Sequence, residues 1–371
     1  MTGDITPHAV REKAAVAPSI TGAIVAIQMA RGVGLMLLFT ALALTVLAAV
    51  LVATGHEPLP ALTALVRGAF GSGYALASTV VRAVPLALAG LAVALAFRAG
   101  LLNIGAEGQL LIGASAATAA GAALGGTPAL LAIPLMLGVG AVAGGGWALI
   151  AGELRRRFGV LEVISTIMLN YIAIALIGWL VRGPLQEPTR IYPQSSSLPL
   201  SQQLPMLIPG TRVHVGVVLA VVLATGLWWW LRSTAGGFRL RAVGANPFAA
   251  ASAGQIVVAR TTLSAFVMSG ALAGLAGGVE LTGVTYALYE NFSPNYGYTA
   301  IAVALLARLN PLAVLGTALL FGALEAGAGA MQRDAAVPSV VVSVVEAALI
   351  LLVVAADRWQ ARRVARLEAP V

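Results

Sequence analysis

The stretch VGLMLLFTALALTVLAAVLVA, residues 33–53, is an unbroken apolar run of membrane-spanning length. An α-helix needs about 20 predominantly apolar residues to cross the hydrocarbon of a bilayer. Further long apolar stretches lie near residues 75–97, 128–150, 213–231 and 338–356. Because these runs are continuous and do not alternate with polar residues, a membrane β-barrel is excluded. The sequence therefore predicts an all-α, polytopic membrane helical bundle.

The composition and the distribution of charge support a membrane protein. The chain has 371 residues, of which 59% are hydrophobic and only 10% are charged, whereas a soluble domain has about 25% charged residues. Most of its 22 Lys and Arg residues fall in segments that we predict to be cytoplasmic, which accounts for the net charge of +8. This bias places both termini in the cytoplasm and requires an even number of spans, about ten by length. The predicted cytoplasmic segments are 1–32, 98, 152–160, 232–260, 308 and 357–371.

The chain is predicted to form one transmembrane domain between two short tails. Residues 1–32 form a cytoplasmic N-terminal tail with an interfacial helix predicted over 15–30, residues 33–356 form the domain, and residues 357–371 form the C-terminal tail. Glycine pairs spaced four apart permit close contact between helices, and we interpret them as ordinary packing. These pairs are Gly121/Gly125, Gly140/Gly144 and Gly270/Gly274.

Two connections between spans are long. Residues 182–212, predicted to lie outside, contain six prolines and three consecutive serines, so they cannot form one long helix. They form either an ordered cap or a docking surface for an external partner, and the sequence leaves both open.

The predicted internal connection, residues 232–260, contains four arginines and no acidic residue. Asn246 can cap a helix, and Pro247 suits its first position, where a missing N–H costs nothing. The residues that follow give about two turns before Gly254, and Trp228 to Trp230 mark the membrane interface just before this connection. We expect a capped helix that contacts a partner. Arg239 and Arg241, two apart on an extended segment, would face one acidic groove of that partner.

Polar residues interrupt the apolar stretch FRAGLLNIGAEGQLLIGA, residues 97–114. Isolated polar groups in hydrocarbon are costly, so they usually face the bundle interior or a water-filled cavity. Asn103 and Glu107 are four apart and share a face if the segment is helical there. Glu107 either contacts a solute, or neutralises Arg98 or accepts hydrogen bonds that fix one helix against another. The five carboxylates in or beside apolar runs are Glu107, Glu162, Glu280, Glu325 and Glu346.

The sequence contains no motif that would indicate an enzyme active site. Glu162 follows three arginines, which suits a helix start or an ion pair. The three histidines are far apart in sequence, and the chain has no cysteine, so neither a zinc motif nor thiol chemistry is predicted. The single lysine, Lys13, follows no phosphate-binding glycine loop. If ATP drives this protein, another chain must bind it.

Six motifs in order resemble the permease subunits of bacterial ATP-binding-cassette importers for nucleosides, within the family that also serves simple sugars and branched-chain amino acids. The resemblance covers about residues 33–356. It implies separate cytoplasmic ATPase subunits, a second permease subunit that is homologous or identical, an external substrate-binding protein, and a place in the bacterial cytoplasmic (inner) membrane. The motifs are FRAGLLNIGAEGQLLIGA (97–114), EVISTIMLNYIA (162–173), LRAVGANPFAAASAGQI (240–256), SGALAGLAGGVELTGV (269–284), YTAIAVALLARLNPL (298–312) and FGALEAGAGAMQR (321–333).

The resemblance also implies that residues 239–256 contain the coupling helix that sits on the ATPase. Similar proteins often carry Glu where this chain has Ala245. The expected coupling residues are Arg239, Arg241, Gly244, Asn246 and Pro247, and the expected substrate-pathway residues are Asn103, Glu107, Gln109, Asn170 and Glu280.

We therefore expect a transport subunit without catalytic residues, metal or cofactor, which translocates nucleosides and does not bind nucleic acid. Two alternatives remain open. One is a simple-sugar (ribose-like) permease of the same family. The other is a secondary transporter that couples solute to protons through Glu107 or Glu280.

Overall fold

The computed structural model of the chain describes residues 41–42, 45–338, 340–341, 343–344 and 347. Several predictions fall on other residues, and they remain predictions. These concern the tail 1–32 with its interfacial helix over 15–30, the first part of the run 33–53, Glu346, the latter part of the run 338–356, and the tail 357–371.

The described residues are mostly helical. Residues 45–53 are helical, and eleven α-helices follow within the described part of the chain. A 3₁₀ turn lies at Leu200–Gln202, and a π-helical turn at Leu281–Thr285 extends α9. The helices are α1 (Pro58–Phe70), α2 (Gly73–Arg98), α3 (Ala106–Ala123), α4 (Ala129–Phe158), α5 (Glu162–Arg182), α6 (Gly216–Ser233), α7 (Ala235–Ala245), α8 (Pro247–Ser252), α9 (Val258–Glu280), α10 (Tyr296–Leu306) and α11 (Pro311–Ala335).

Six helices in the described residues are long and apolar enough to cross a membrane: α2, α4, α5, α6, α9 with its π-helical turn, and α11. The all-α helical bundle is thus confirmed, and the apolar runs predicted near 75–97, 128–150 and 213–231 correspond to α2, α4 and α6. The finer predictions of about ten spans and of two cytoplasmic termini stay predictions.

Helix α2 lies at the centre of the bundle. Within its most apolar window 83% of the residues are buried, which is the pattern of a helix that is hydrophobic on all sides and surrounded by other helices. Its start is fixed by Ser72, whose side chain accepts a hydrogen bond from the backbone N–H of Ala75. Helices α9, α10 and α11 pack around it.

Helices α4 and α9 meet through glycines, as the sequence spacing predicted. Gly140 and Gly144 of α4 lie against the backbone of Gly270 and Gly274 of α9. A Cβ atom added at Gly144 would collide with the carbonyl oxygen of Gly270. These small residues therefore let the two backbones touch, and the contact is packing within one chain.

Residues 183–215 are an ordered cap over one end of the bundle, which we call the loop end. Leu198 donates its backbone N–H to the carbonyl oxygen of Tyr286 at 2.7 Å, and Leu204 donates to that of Thr282 at 2.8 Å. The side chain of Gln202 donates to the carbonyl oxygen of Gly121 at 2.8 Å. The cap thus closes over α3 and the end of α9. We call the opposite end, which carries α7 and α8, the coupling end.

Candidate transport site and coupling surface

A polar cavity of about 580 Å³ lies at the loop end. Its size falls within the range of about 300–1,000 Å³ that is common for small-molecule sites. The walls come from α1, α2, the segment after α9, the start of α10 and the end of α11. The chemically informative lining residues are Arg82, Arg212, Glu280, Tyr289, Tyr296 and Arg333.

Glu280 is the last residue of α9 and lies in the wall of this cavity. Only 3% of the residue is exposed, and its Oε2 atom has no hydrogen-bond partner among the described residues. Arg82, from the neighbouring α2, makes an ion pair with Glu325 at 3.6 Å. A buried carboxylate oxygen without a partner is costly unless a ligand or water supplies a donor. Glu280 therefore places a buried oxygen without a donor among the described residues in the wall of the cavity.

Aromatic rings line the same cavity. Tyr289 and Phe292, both in the segment between α9 and α10, have ring centroids 5.8 Å apart with planes tilted by 57°. Tyr296 begins α10 and is 3% exposed. Aromatic faces next to a few polar groups are typical of sites for small organic ligands.

Asn103 and Gln109 are fully buried and bind each other. Each amide nitrogen donates to the other residue's amide oxygen at 3.0 Å. Asn103 also donates to Ser269 Oγ at 2.9 Å, and Ser269 donates to the carbonyl oxygen of Ala92 at 2.7 Å. Helix α3 begins only at Ala106, so the condition under which Asn103 would share a helical face with Glu107 is not met. The backbone N–H of Gly105 donates to Asn103 Oδ1 at 3.0 Å, which holds the Asn103 side chain against the turn before the helix.

Glu107 accepts a hydrogen bond from the backbone N–H of Gly297 at 2.7 Å, and the Ser293 hydroxyl also bonds its carboxylate. The carboxylate thus fixes α10 against α3, which is one of the two roles that the sequence left open. Arg98 does not meet Glu107: its Nε donates to the carbonyl oxygen of Leu309 at 2.6 Å.

Asn170 of α5 joins the same group. Its Oδ1 accepts from the N–H of Gly108 at 2.9 Å, and its amide nitrogen donates to the carbonyl oxygen of Ile104 at 2.9 Å and to the Tyr298 hydroxyl at 3.1 Å. We call the buried residues Asn103, Glu107, Gln109, Asn170 and Ser269 the polar hub. The hub connects α2, α3, α5, α9 and α10. Of the five residues expected to line a pathway, Glu280 lines the cavity, whereas the other four lie in the hub.

The coupling end carries the capped helix that the sequence predicted. Asn246 Oδ1 accepts hydrogen bonds from the N–H groups of Phe248 and Ala249 at 3.0 and 3.1 Å, and Pro247 is the first residue of α8. Phe248 is 83% exposed. A short capped helix that presents an aromatic ring to the surface suits contact with another protein.

The expectation that Arg239 and Arg241 lie on an extended segment is wrong, because both belong to α7. Thr234 caps this helix by accepting from the N–H of Gly237 at 3.1 Å. Residues two apart in a helix point about 200° apart, so the two exposed arginines face different directions. Gly244, in the last turn of α7, lies against the carbonyl group of Arg98.

Glu162 has the ion-pair role that the sequence favoured. It begins α5 and bonds Arg155 at 2.8 Å. Sequence reasoning missed the cavity residues other than Glu280. Arg82 had a usable signal, since it is a lone arginine inside an apolar run. Tyr289 and Tyr296 gave none, because only the fold brings them together.

Residues 75–354 match the family described as "Branched-chain amino acid transport system / permease component". The chain belongs to this permease family. It is therefore a multi-pass inner-membrane transport subunit of an ATP-binding-cassette importer and not an enzyme. Membership also implies ATPase and substrate-binding partners.

Three relatives cover most of the chain. The guanosine ABC transporter permease protein NupP of Bacillus subtilis (strain 168) is 40% identical over 310 residues, covering 82% of this chain and 88% of NupP. The glucose ABC transporter permease protein TsgB13 of Haloferax volcanii is 37% identical over 341 residues, covering 86% and 88%. The nucleoside ABC transporter permease protein NupB of Lactococcus lactis subsp. cremoris is 33% identical over 316 residues, covering 82% and 86%. No solved structure matches the chain at a significant level.

Proposed function

We propose that this permease subunit imports nucleosides and that the cavity at the loop end receives the solute. The observation that carries the proposal is the free Oε2 of Glu280 in the wall of a 580 Å³ cavity. A nucleoside offers hydroxyl and N–H donors for this oxygen and an aromatic base for rings such as Tyr289. The similarity to NupP and NupB supports this solute class.

The second candidate solute is a simple sugar. It is favoured by TsgB13, which is 37% identical to this chain and whose name specifies glucose. A sugar supplies hydroxyl donors for Glu280 but no aromatic base. The aromatic residues in the cavity wall therefore favour the nucleoside.

We further propose that the loop end faces the outside and the coupling end the cytoplasm. The exposed apolar residues of the cap suit an external substrate-binding protein, Leu200 being 85% exposed. At the coupling end, α7 and α8 with Gly244, Asn246, Pro247 and the two arginines form the surface for the ATPase. A second permease chain, identical or homologous, completes the importer.

The test of function uses the complete importer, with its ATPases and external binding protein, in proteoliposomes. Uptake of radiolabelled guanosine and of radiolabelled glucose is measured with ATP inside the vesicles. We expect ATP-dependent guanosine uptake that falls about fivefold or more in Glu280→Leu, since removing the acceptor leaves a solute donor unpaired at a cost of about 1–3 kcal/mol. Glu57→Gln is the control, because Glu57 is exposed and does not line the cavity.

Two results would overturn the proposal. ATP-dependent uptake of glucose without uptake of guanosine would establish the sugar permease. Concentration of solute on an imposed proton gradient by the permease alone would establish a secondary transporter.

The test of coupling is co-purification of the ATPase with the permease. Arg239→Ala and Arg241→Ala should each weaken assembly more at low than at high salt, because high salt already screens the charge pairs that the arginines would make. Arg190→Ala, an exposed arginine on the cap, is the control. Asn246→Ala combined with Pro247→Gly should loosen the start of α8 and reduce transport more than membrane insertion. Normal assembly and transport in all of these variants would show that α7 and α8 are not the ATPase surface.

A further inference from the structure

Helix α10 begins inside the bundle and is short. Its 11 residues span about 16 Å at 1.5 Å per residue, roughly half of the hydrocarbon thickness. Its first N–H groups lack partners within the helix, and its N-cap residue Asn295 makes no side-chain cap bond. The N–H of Tyr296 is bonded by Ser293 Oγ at 3.1 Å, and that of Gly297 by Glu107. A carboxylate from α3 therefore caps α10.

The other end of α10 is held by the same part of the chain. The turn after α10 places Arg308 and Leu309 in the left-handed region, with φ angles of 50° and 58°. Arg98 donates to the carbonyl oxygen of Leu309 at 2.6 Å. Residues 98–107, which we call the corner segment, thus bond both ends of α10: Arg98 at the coupling end and Glu107 inside the bundle.

The corner segment also touches α7. A Cβ atom added at Gly244 would collide with the carbonyl oxygen of Arg98, and Gly100, with a φ of 73°, lies against the backbone of Gly244. The contact is therefore backbone against backbone, with little room for one part to shift without the other. At the opposite end of α10, Tyr296 lines the solute cavity close to the end of α9.

We propose that α10 is the moving wall of the solute cavity, and that Arg98 and Glu107 are the positioning residues through which a displacement of α7 reaches it. The proposal rests on the proposed function, since it takes α7 and α8 as the ATPase surface and the cavity as the solute site. Neither residue touches the solute. Their hydrogen bonds make α10 move together with the corner segment. A movement that ATP hydrolysis causes at the coupling end therefore changes the shape of the cavity at the loop end.

The first experiment measures solute molecules transported per ATP hydrolysed by the complete importer. Glu107→Leu cannot accept the Gly297 bond, whereas Glu107→Gln retains an acceptor oxygen. We expect the ratio to fall about tenfold in Glu107→Leu, because the buried N–H of Gly297 loses its acceptor, and to be largely restored in Glu107→Gln. Arg98→Met should lower it in the same direction. Ser115→Ala is the matched control, because among the described residues the buried Ser115 on α3 bonds only its own helix, at Leu111. A normal ratio in Glu107→Leu would overturn the proposal.

The second experiment does not require a variant of Glu107 to fold. The chain has no cysteine, so Tyr296→Cys introduces a single reactive site on the cavity wall. Its rate of modification by a water-soluble thiol reagent is compared in the nucleotide-free and the vanadate-trapped importer. We expect the rate to change at least several-fold between the two states, and an unchanged rate would overturn the proposal. The readout needs no solute, so failed guanosine uptake with nucleotide-dependent labelling would reject the proposed solute and keep the role of α10.

Discussion

Replacing Asn103 tests whether the polar hub stabilises the bundle through one reciprocal amide pair. Asn103 makes four hydrogen bonds: two with the Gln109 amide at 3.0 Å, one to Ser269 at 2.9 Å and one from the N–H of Gly105 at 3.0 Å. At the low end of the usual net contribution, about 0.5 kcal/mol per hydrogen bond, loss of the four bonds in Asn103→Leu should cost about 2 kcal/mol. If the Gln109 amide stays buried and unpaired, its two groups raise the cost to about 6 kcal/mol.

The double variant separates these two estimates. Asn103→Leu/Gln109→Met removes both amides and keeps similar volumes, and Ser269 retains its bond to Ala92. Because the unpaired amide is gone, the double variant should be more stable than the sum of the single variants by about 4 kcal/mol, the difference between the two estimates. The apparent free energy of unfolding is measured by titration of the purified chain from mild detergent into SDS, with Ser115→Ala as the control. Strict additivity of the two single effects would refute the pairing argument.

Three further predictions concern packing, protonation and topology. Gly144→Leu should abolish accumulation of folded protein, because a side chain there meets the backbone of α9, whereas Gly146→Leu on the open side of α4 should be tolerated; equal yields on size-exclusion chromatography would contradict this. Burial lowers the pKa of His214 from 6.5 to about 4, so its neutral form is favoured in the folded state and stability should fall as the pH drops from about 6.5 to 4. At about 1.4 kcal/mol per pH unit, the loss of stability is at most about 3 kcal/mol. SDS titrations at pH 7 and pH 5 measure this loss, and His214→Gln should lack the part of it that comes from protonation of His214. Ser196→Cys and Ala249→Cys, both at exposed positions, should react with an impermeant thiol reagent from opposite sides of the membrane, and labelling of both from outside would contradict the orientation.

The parts of the fold that the sequence predicted are those in which composition alone decides. A long apolar run in hydrocarbon is stable as a helix, because a helix forms hydrogen bonds among its own backbone N–H and C=O groups. Helices α2, α4 and α6 were predictable for this reason. The cap on α8 was also predictable, since Asn246 and Pro247 act on neighbouring N–H groups. Helix α7 was not. Its glycines at 236 and 237 disfavour a helix, but Gly237 packs directly on the backbone of α6 at Leu231, which requires a residue without a side chain.

The candidate site was predictable only where a polar residue stood out against an apolar background. Glu280 was found in this way, and Arg82 carried the same signal. The sequence could not show which polar residues bond other helices and which line the cavity, because these roles depend on partners distant in the chain. Asn103 bonds a residue 166 positions away, and Glu107 one 190 positions away. No local pattern indicates whether such a residue binds a solute or another helix.

The distinction between the polar hub and the cavity follows from how buried polar groups are satisfied. In the hub, Asn103 and Asn170 use both their amide oxygens and their amide nitrogens within the protein, so a solute would have to displace existing bonds to reach them. Glu280 has a buried oxygen for which the described residues provide no donor. A membrane protein bears that cost only where another group can supply the missing bond. Hydrogen-bonded polar residues therefore position helices, and this difference is the basis of our proposal that the solute is held at the unsatisfied carboxylate of Glu280.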